Sequence, residues 1–194
     1  MKILVAYATR HGATRGIAER VAEVLERREH AVMLLPAAEV GDIDEFDAFV
    51  VGGAAYMGRW LPDATKFVRR HRDLLSSRPT WLFSSGPIGE ETVDAKGREL
   101  LAISEPVEFA EFKDSVDPRG CQVFYGAFDP DAKPIGIAER LGAPFLRLPA
   151  ARKAMPTGDF RDWPAIDAWA TDIADQLDRE AARLAEVLAV APAR

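Results

Sequence analysis

Thiols are nearly absent. Cys121 is the only cysteine among 194 residues, which rules out an internal disulfide and a cysteine-rich metal site. No apolar run approaches the length that spans a bilayer, and the N-terminal run 3–8 is shorter than the core of a secretory leader. A cytoplasmic protein is the expectation. Positive charge is in deficit: a net charge of −6 and a pI near 5.2 argue against general nucleic-acid binding, which needs a basic footprint. Neither G-x-G-x-x-G nor G-x-x-x-x-G-K-[ST] occurs, so the loops typical of dinucleotide and ATP sites are missing. Internal repeats and low-complexity linkers are missing too.

What is present is ordinary globular material, 48% hydrophobic and 29% charged, enough for one domain over 1–190 with a tail at 191–194. The apolar run 2–7 reads as a strand buried on both faces. Ile17, Val21, Val24 and Leu25 recur at helical spacing, predicting a helix over 14–29. Further strands are expected at 31–35, at 46–51 ending in Gly52 and Gly53, at 80–83 and at 121–127. Helices are expected over 62–75, with Pro62 in the first turn, and from about Asp162 onward. Short apolar strands alternating with amphipathic helices imply α/β architecture, a five-stranded doubly wound parallel sheet covered on both faces. The stretches 85–120 and 128–161 read as irregular insertions around the last strand.

Charge is unevenly distributed. Arg59, Lys66, Arg69, Arg70, Arg72 and Arg78 face only Asp63 and Asp73 in segment 59–78, whereas segment 86–120 is rich in acid. Two readings stand: solvated faces, or a basic face for an acidic partner, an anionic substrate or a lipid surface.

The loop Thr9-Arg10-His11-Gly12-Ala13-Thr14 follows the first strand and feeds the first helix. Helix N-termini attract phosphate through free N–H groups and the dipole. Gly12 lets the backbone wrap closely, and the Thr9 and Thr14 hydroxyls can donate to phosphate oxygens. A plain turn capped by Thr14 accounts for the same residues. The loop by itself leaves both readings open.

The pattern Tyr7-x-Thr9-x-x-Gly12-x-Thr14-x-x-x-Ala18-x-x-Val21 resembles the phosphate loop of flavodoxins, which bind FMN. Residues 52–60 fall where flavodoxins carry their second flavin loop, and Ser84-Ser85-Gly86-Pro87 where they carry the third. The resemblance implies a sheet order of 2-1-3-4-5 with FMN at the switch point. It implies that Thr9, Arg10, His11, Gly12, Ala13 and Thr14 cradle the 5′-phosphate. Tyr56 and Trp60 become candidates to stack on the flavin ring, while Ala54, Ala55, Met57, Gly58 and the 84–87 backbone would hydrogen-bond or line its edges. Trp60 has a second reading, as a staple at the start of the 62–75 helix.

Within the flavodoxin-like proteins, the chain is most similar to the quinone-dependent protoporphyrinogen oxidase (protoporphyrinogen IX dehydrogenase) branch of bacteria. The likeness rests on Thr9, Arg10, Gly12 and Thr14, on Gly-Ala-Ala-Tyr-Met-Gly at 53–58, on Phe67-Val-Arg-Arg-His71, on Phe124-Tyr-Gly-Ala127, and on Thr157-Gly-Asp-Phe-Arg-Asp-Trp163. It implies a flavin oxidoreductase passing electrons from a small-molecule substrate to a quinone, with peripheral contact at the inner face of the membrane. Two alternatives stand beside it: a one-electron carrier serving a redox partner protein, and an FMN-dependent quinone reductase. A module that has lost its flavin is a third. No side chain is demanded as acid or base; His11 is expected to assist the phosphate, His71 to lie on an exposed helix face, and Cys121 to fill core space. The clustered aspartates of a receiver domain are missing after the first strand.

Overall fold

A computed structural model describes residues 1–129 and 156–190, with the side chains of 188–190 outside the description. The first strand, β1 (Lys2–Ala8), carries Ile3, Leu4, Val5 and Ala6 at zero exposure, so its side chains enter cores on both faces. Helix α1 (Ala13–Arg27) returns the chain to edge strand β2 (Ala31–Pro36), parallel to β1. Strand β3 (Ala48–Tyr56) pairs with the other side of β1, then turns into the two-residue strand β4 (Arg59–Trp60). Helices α2 (Pro62–Arg70) and α3 (Arg72–Ser77) lead to β5 (Thr80–Ser85). After α4 (Leu100–Ile103) and α5 (Glu108–Ser115) comes β6 (Gly120–Phe124). The small ribbon of β7 (Ala127–Phe128) and β8 (Gly158–Asp159) precedes the long closing helix α6 (Trp163–Val190).

The parallel strands run in the order β2-β1-β3-β5-β6, with β4 antiparallel on β3. Setting the hairpin strand β4 aside, this is the expected 2-1-3-4-5 arrangement. Alternation along each strand sorts the apolar residues into two cores. Ile3, Val5, Val50 and Phe83 meet Ile17 and Val21 of α1 and Ile166, Ile173 and Leu177 of α6. Leu4, Phe49, Val51 and Leu82 meet Phe67 and Val68 of α2 and Phe109 and Phe112 of α5.

Several expected boundaries move, each for a physical reason. Gly52 and Gly53 lie inside β3 rather than ending it. A Cβ on Gly52 would come within 2.0 Å of the Phe83 ring, and one on Gly53 within 2.6 Å of the Trp60 ring. The two glycines admit the close approach of two aromatic rings, Phe83 at Gly52 and Trp60 at Gly53, a use of glycine within a strand. The 62–75 helix breaks at His71, where the backbone leaves helical geometry at φ −108° and ψ 16°. Segment 85–120, expected to be irregular, contains α4 and α5. The latter's Phe109 and Phe112 are buried through a two-turn helix too short to show periodicity. At the closing helix, Asp162 accepts the Ala165 N–H at 3.0 Å, the cap expected ahead of Pro164. Most of 128–161, and the tail 191–194, lie outside the described residues.

Candidate functional site

In an open parallel sheet the ligand cleft lies beyond the carboxyl ends of the strands, where the strand order reverses. Here that point is between β1 and β3, whose ends pair as Tyr7 with Gly52 and Ala8 with Gly53. Three chain segments meet at this edge: the loop after β1, the β3–β4 hairpin, and the end of β5.

The first loop turns on Gly12, which sits at the cap of α1 with φ 87°, a left-handed conformation suited to glycine. Its N–H donates to the Thr9 Oγ1 at 3.0 Å, folding the loop back on itself. Among the described residues no side chain caps α1, and its first turn holds no acidic residue. Apart from the Gly12 N–H, which Thr9 takes, the entrance of α1 therefore keeps its positive dipole end and its first-turn amides unmasked by the described side chains. Among the described residues, a Cβ on Gly12 would meet nothing within 4 Å, so no described group fills the space directly over this turn. His11 is exposed, and Thr9, Arg10, Gly12 and Ala13 are half-buried around it.

Thr14 lies behind the loop. It is fully buried, and its hydroxyl is 2.7 Å from the Ser85 hydroxyl. It is not the helix cap, because Gly12 holds that position. The contact ties the first loop to the end of β5. Ser84, next to Ser85 and on the opposite face, is equally buried, and its Oγ has no hydrogen-bond partner among the described residues.

The second segment is a tight hairpin. Met57 (φ 52°) and Gly58 (φ 73°) form its two-residue turn, and the pairs Ala55–Trp60 and Tyr56–Arg59 flank it. Both turn residues are left-handed, as a type I′ hairpin requires. Tyr56 is 40% exposed and Met57 wholly exposed, which puts an apolar tip on the surface. The Arg10 guanidinium stacks over the Tyr56 ring at 4.8 Å, joining the first loop to the hairpin.

Trp60 is not part of this surface. It is 3% exposed, its Nε1 donates to the Gly53 carbonyl at 2.9 Å, and its ring meets Phe109 edge-on at 5.1 Å. Of the two aromatic candidates for stacking on a flavin ring, only Tyr56 reaches the surface. The Trp60 N–H donates to the buried Glu108 carboxylate at 2.9 Å, and the Val107 N–H to the Gly58 carbonyl at 3.0 Å. Residues 107–112 thus brace the hairpin from beneath. The sequence signal for this brace was the pair Phe109 and Phe112, three apart on a segment otherwise rich in acid.

In the third segment, several backbone groups are committed to the chain itself. The Gly86 N–H donates to the Phe124 carbonyl at 3.2 Å, and the Pro87 carbonyl accepts from Gly126 at 2.8 Å. Ser84 and Ser85 stand in ladder register with β3 on one side and β6 on the other.

The basic and acidic segments meet each other in part. Arg69 grips Glu111 through two hydrogen bonds of 2.8 and 2.6 Å, which hold that carboxyl below its ordinary range. His71 is half-buried against Phe67, with ring centroids 4.9 Å apart and Nε2 unpartnered among the described residues, contrary to the exposed face expected for it. Burial, and then the charge of Arg70, press its pKa down. Burial pushes the Cys121 thiol up to about 11, leaving it protonated and unreactive at neutral pH. Among the described residues no helix is long and apolar enough to cross a membrane, and no acid, His or Cys cluster could hold a metal.

These features define an open α/β protein whose switch-point edge suits an anionic ligand. The unmasked helix entrance and the space over Gly12 suit a terminal phosphate, and the half-exposed Tyr56 an aromatic ring system. The flavodoxin domain family model matches residues 4–139. The chain belongs to the flavodoxin family, and FMN is the cofactor that membership implies. Among solved structures, it is similar in fold to the rubredoxin oxygen:oxidoreductase of the anaerobe Desulfovibrio gigas (TM-score 0.56, 15% identity), over 93% of this chain and 37% of that one. It therefore spans little more than a third of that protein. A flavodoxin from the domain Archaea shares 21% identity at TM-score 0.46, over 79% of this chain and 98% of its own. A cysteine-to-serine mutant of the flavodoxin from Pseudomonas aeruginosa shares 16% identity at TM-score 0.47, over 75% of this chain and 94% of its own. No curated protein matches the chain.

Proposed function

We propose that this flavodoxin-family protein is an FMN-dependent oxidoreductase, with the flavin lying across the edge formed by the β1 loop, the β3–β4 hairpin and the end of β5. The observation that carries this reading is the uncapped, glycine-hinged entrance of α1, open above Gly12 and joined by Arg10 to the exposed ring of Tyr56. The amides and side chains of Thr9–Ala13 would hold the 5′-phosphate. Thr9 contributes twice, since a hydroxyl that accepts the Gly12 N–H keeps its own proton to donate. Thr14 acts from behind, holding the loop to Ser85 instead of touching the phosphate. Tyr56 would flank the ring, with the Ala54–Gly58 backbone along its edge. When bound, FMN supplies electron transfer between a donor and an acceptor, and the protein supplies orientation and electrostatics.

Within that class, we favour the quinone-linked oxidase branch acting on a porphyrinogen. Two of the segments that carry the likeness, 53–58 and 157–163, belong to the edge itself or to the ribbon beside it. The exposed Tyr56 and Met57 also offer an apolar surface suited to an apolar donor or acceptor. The exposed Glu90 and Glu91, just past the β5 loop, favour a second reading, a carrier that docks a basic redox protein.

The test begins with the visible spectrum of the purified protein and titration with added FMN. Failure to bind FMN sinks both readings. Turnover of a porphyrinogen with a quinone supports the oxidase. Bound FMN without such turnover, reduced in two resolved one-electron steps, supports the carrier.

A further inference from the structure

The guanidinium of Arg161 lies against the first turn of α1, 148 residues away in sequence. Its Nη1 donates to the Ala13 carbonyl at 3.2 Å, while Nε and Nη2 hold Asp159 at 2.7 and 2.6 Å. Its carbon centre sits 4.4 Å from the centroid of the Trp163 ring. The side chain is only 16% exposed, although the cleft beside it, about 590 Å³ and lined also by Gly12, Gly16 and Arg20, is open to solvent. Gly16 makes the room: a Cβ there would come within 2.4 Å of Nη1.

The segment that presents Arg161 is itself pinned to the third loop. The Phe160 N–H donates to the Gly126 carbonyl at 3.0 Å, and the Gly126 N–H donates to the Pro87 carbonyl at 2.8 Å. A path therefore runs by hydrogen bonds from Pro87 through Gly126 to Phe160, along the chain to Arg161, and by a further hydrogen bond to Ala13. It crosses the sheet edge outside the Thr14–Ser85 contact. Arg161 is poorly placed to be a phosphate ligand, because its paired Asp159 neutralises it and Ala13 takes a third donor. It is well placed to fix where the loop's amides point.

We propose that Arg161 is a positioning residue for the phosphate loop: clamped by Asp159 and Trp163 in the notch left by Gly16, it presets residues 9–13 for the terminal phosphate of FMN. The inference rests on the phosphate-loop reading given above. Preorganised amides lose nothing to ordering when the ligand arrives, and a loosened loop does. The consequence is selective. Riboflavin, which has the same ring and no phosphate, gains nothing from the preset loop.

The test compares FMN and riboflavin affinities, by flavin fluorescence quenching, in the full chain and two variants. Arg161→Gln removes the clamp. Gly16→Ala leaves Arg161 in place but displaces its flexible end, and it replaces a helical glycine with the best helix former, so it does not threaten folding. Both variants should lose FMN affinity by about tenfold or more while riboflavin affinity stays within about twofold, shrinking the ratio of the two. Arg161→Lys should recover only part of the loss, because one ammonium cannot grip Asp159 side-on and reach Ala13 as well. Thermal melts run in parallel. A ratio that survives in both variants overturns the inference alone. So does an equal loss of both flavins, the mark of a merely structural role. Equal affinity of the unsubstituted protein for the two flavins overturns the phosphate-loop reading, and this inference falls with it.

Discussion

The hydroxyls of Thr14 and Ser85 are 2.7 Å apart, both buried, and separated by 71 residues of sequence. This contact joins the start of α1 to the end of β5 at the edge where the flavin is proposed to lie. Removing one partner leaves the other hydroxyl buried and unsatisfied. Ser85→Ala should therefore cost about 1–3 kcal/mol in a urea melt. The double variant Thr14→Val with Ser85→Ala should cost less than the sum of the single changes, because no orphan remains. Strict additivity would mean that the two hydroxyls do not interact.

Tyr56 and Trp60 stand four residues apart, and their substitutions should separate cleanly. Trp60→Ala empties a packed site under the hairpin and should cost about 3–5 kcal/mol of stability. Tyr56→Ala, at a partly exposed position, should cost less than about 1 kcal/mol. It should nevertheless weaken FMN binding and the quenching of flavin fluorescence. Denaturant melts and flavin titrations on the same samples check both halves.

Gly52 tests the close approach of Phe83. Gly52→Ala forces a Cβ toward a ring that lies 2.0 Å from its ideal position. The expected loss is about 3 kcal/mol, at the upper end of overpacking costs. Adding Phe83→Leu should return part of that loss, measured as a rise in the urea midpoint over the single variant.

The pH dependence of stability should carry the mark of His30 and His71. Both pKa values lie below the ordinary 6.5, chiefly because burial disfavours the charged ring. The N-terminal ammonium adds to this at His30, and Arg70 adds at His71, while Asp178 opposes it at His30. Below pH 6.5 the unfolded chain takes up these protons before the folded chain does. Stability therefore falls as pH drops from about 6.5 toward the folded values, then levels off until the carboxylates titrate. Replacing both histidines with Gln should flatten the urea-midpoint profile just below about pH 6.5. A slope that survives the replacement would assign it to other groups.

The path of the chain was open to reading because its signals are local. An unbroken apolar run such as 2–7 has few ways to bury both faces other than a covered parallel strand. The spacing of Ile17, Val21 and Val24 puts one helical stripe on that sheet, and Asp162 ahead of Pro164 marks where the last helix begins. The loop after β1 carried its own likeness to a phosphate loop in Thr9, Gly12 and Thr14. The tertiary structure alone decided what those residues face. Gly52 and Gly53 look like a strand end until Phe83 and Trp60 are seen lying over them. Trp60 keeps two readings, ring partner or helix staple, until α5 is seen to draw it into the core while Tyr56 stays at the surface. Thr14 turns from the loop's opening to Ser85, and Arg161 reaches Ala13 across 148 residues. Apart from Gly53 and Trp60, which share one hairpin, the partners are remote in sequence, so the competition between solvent, ligand and protein for a side chain is resolved only when the elements pack.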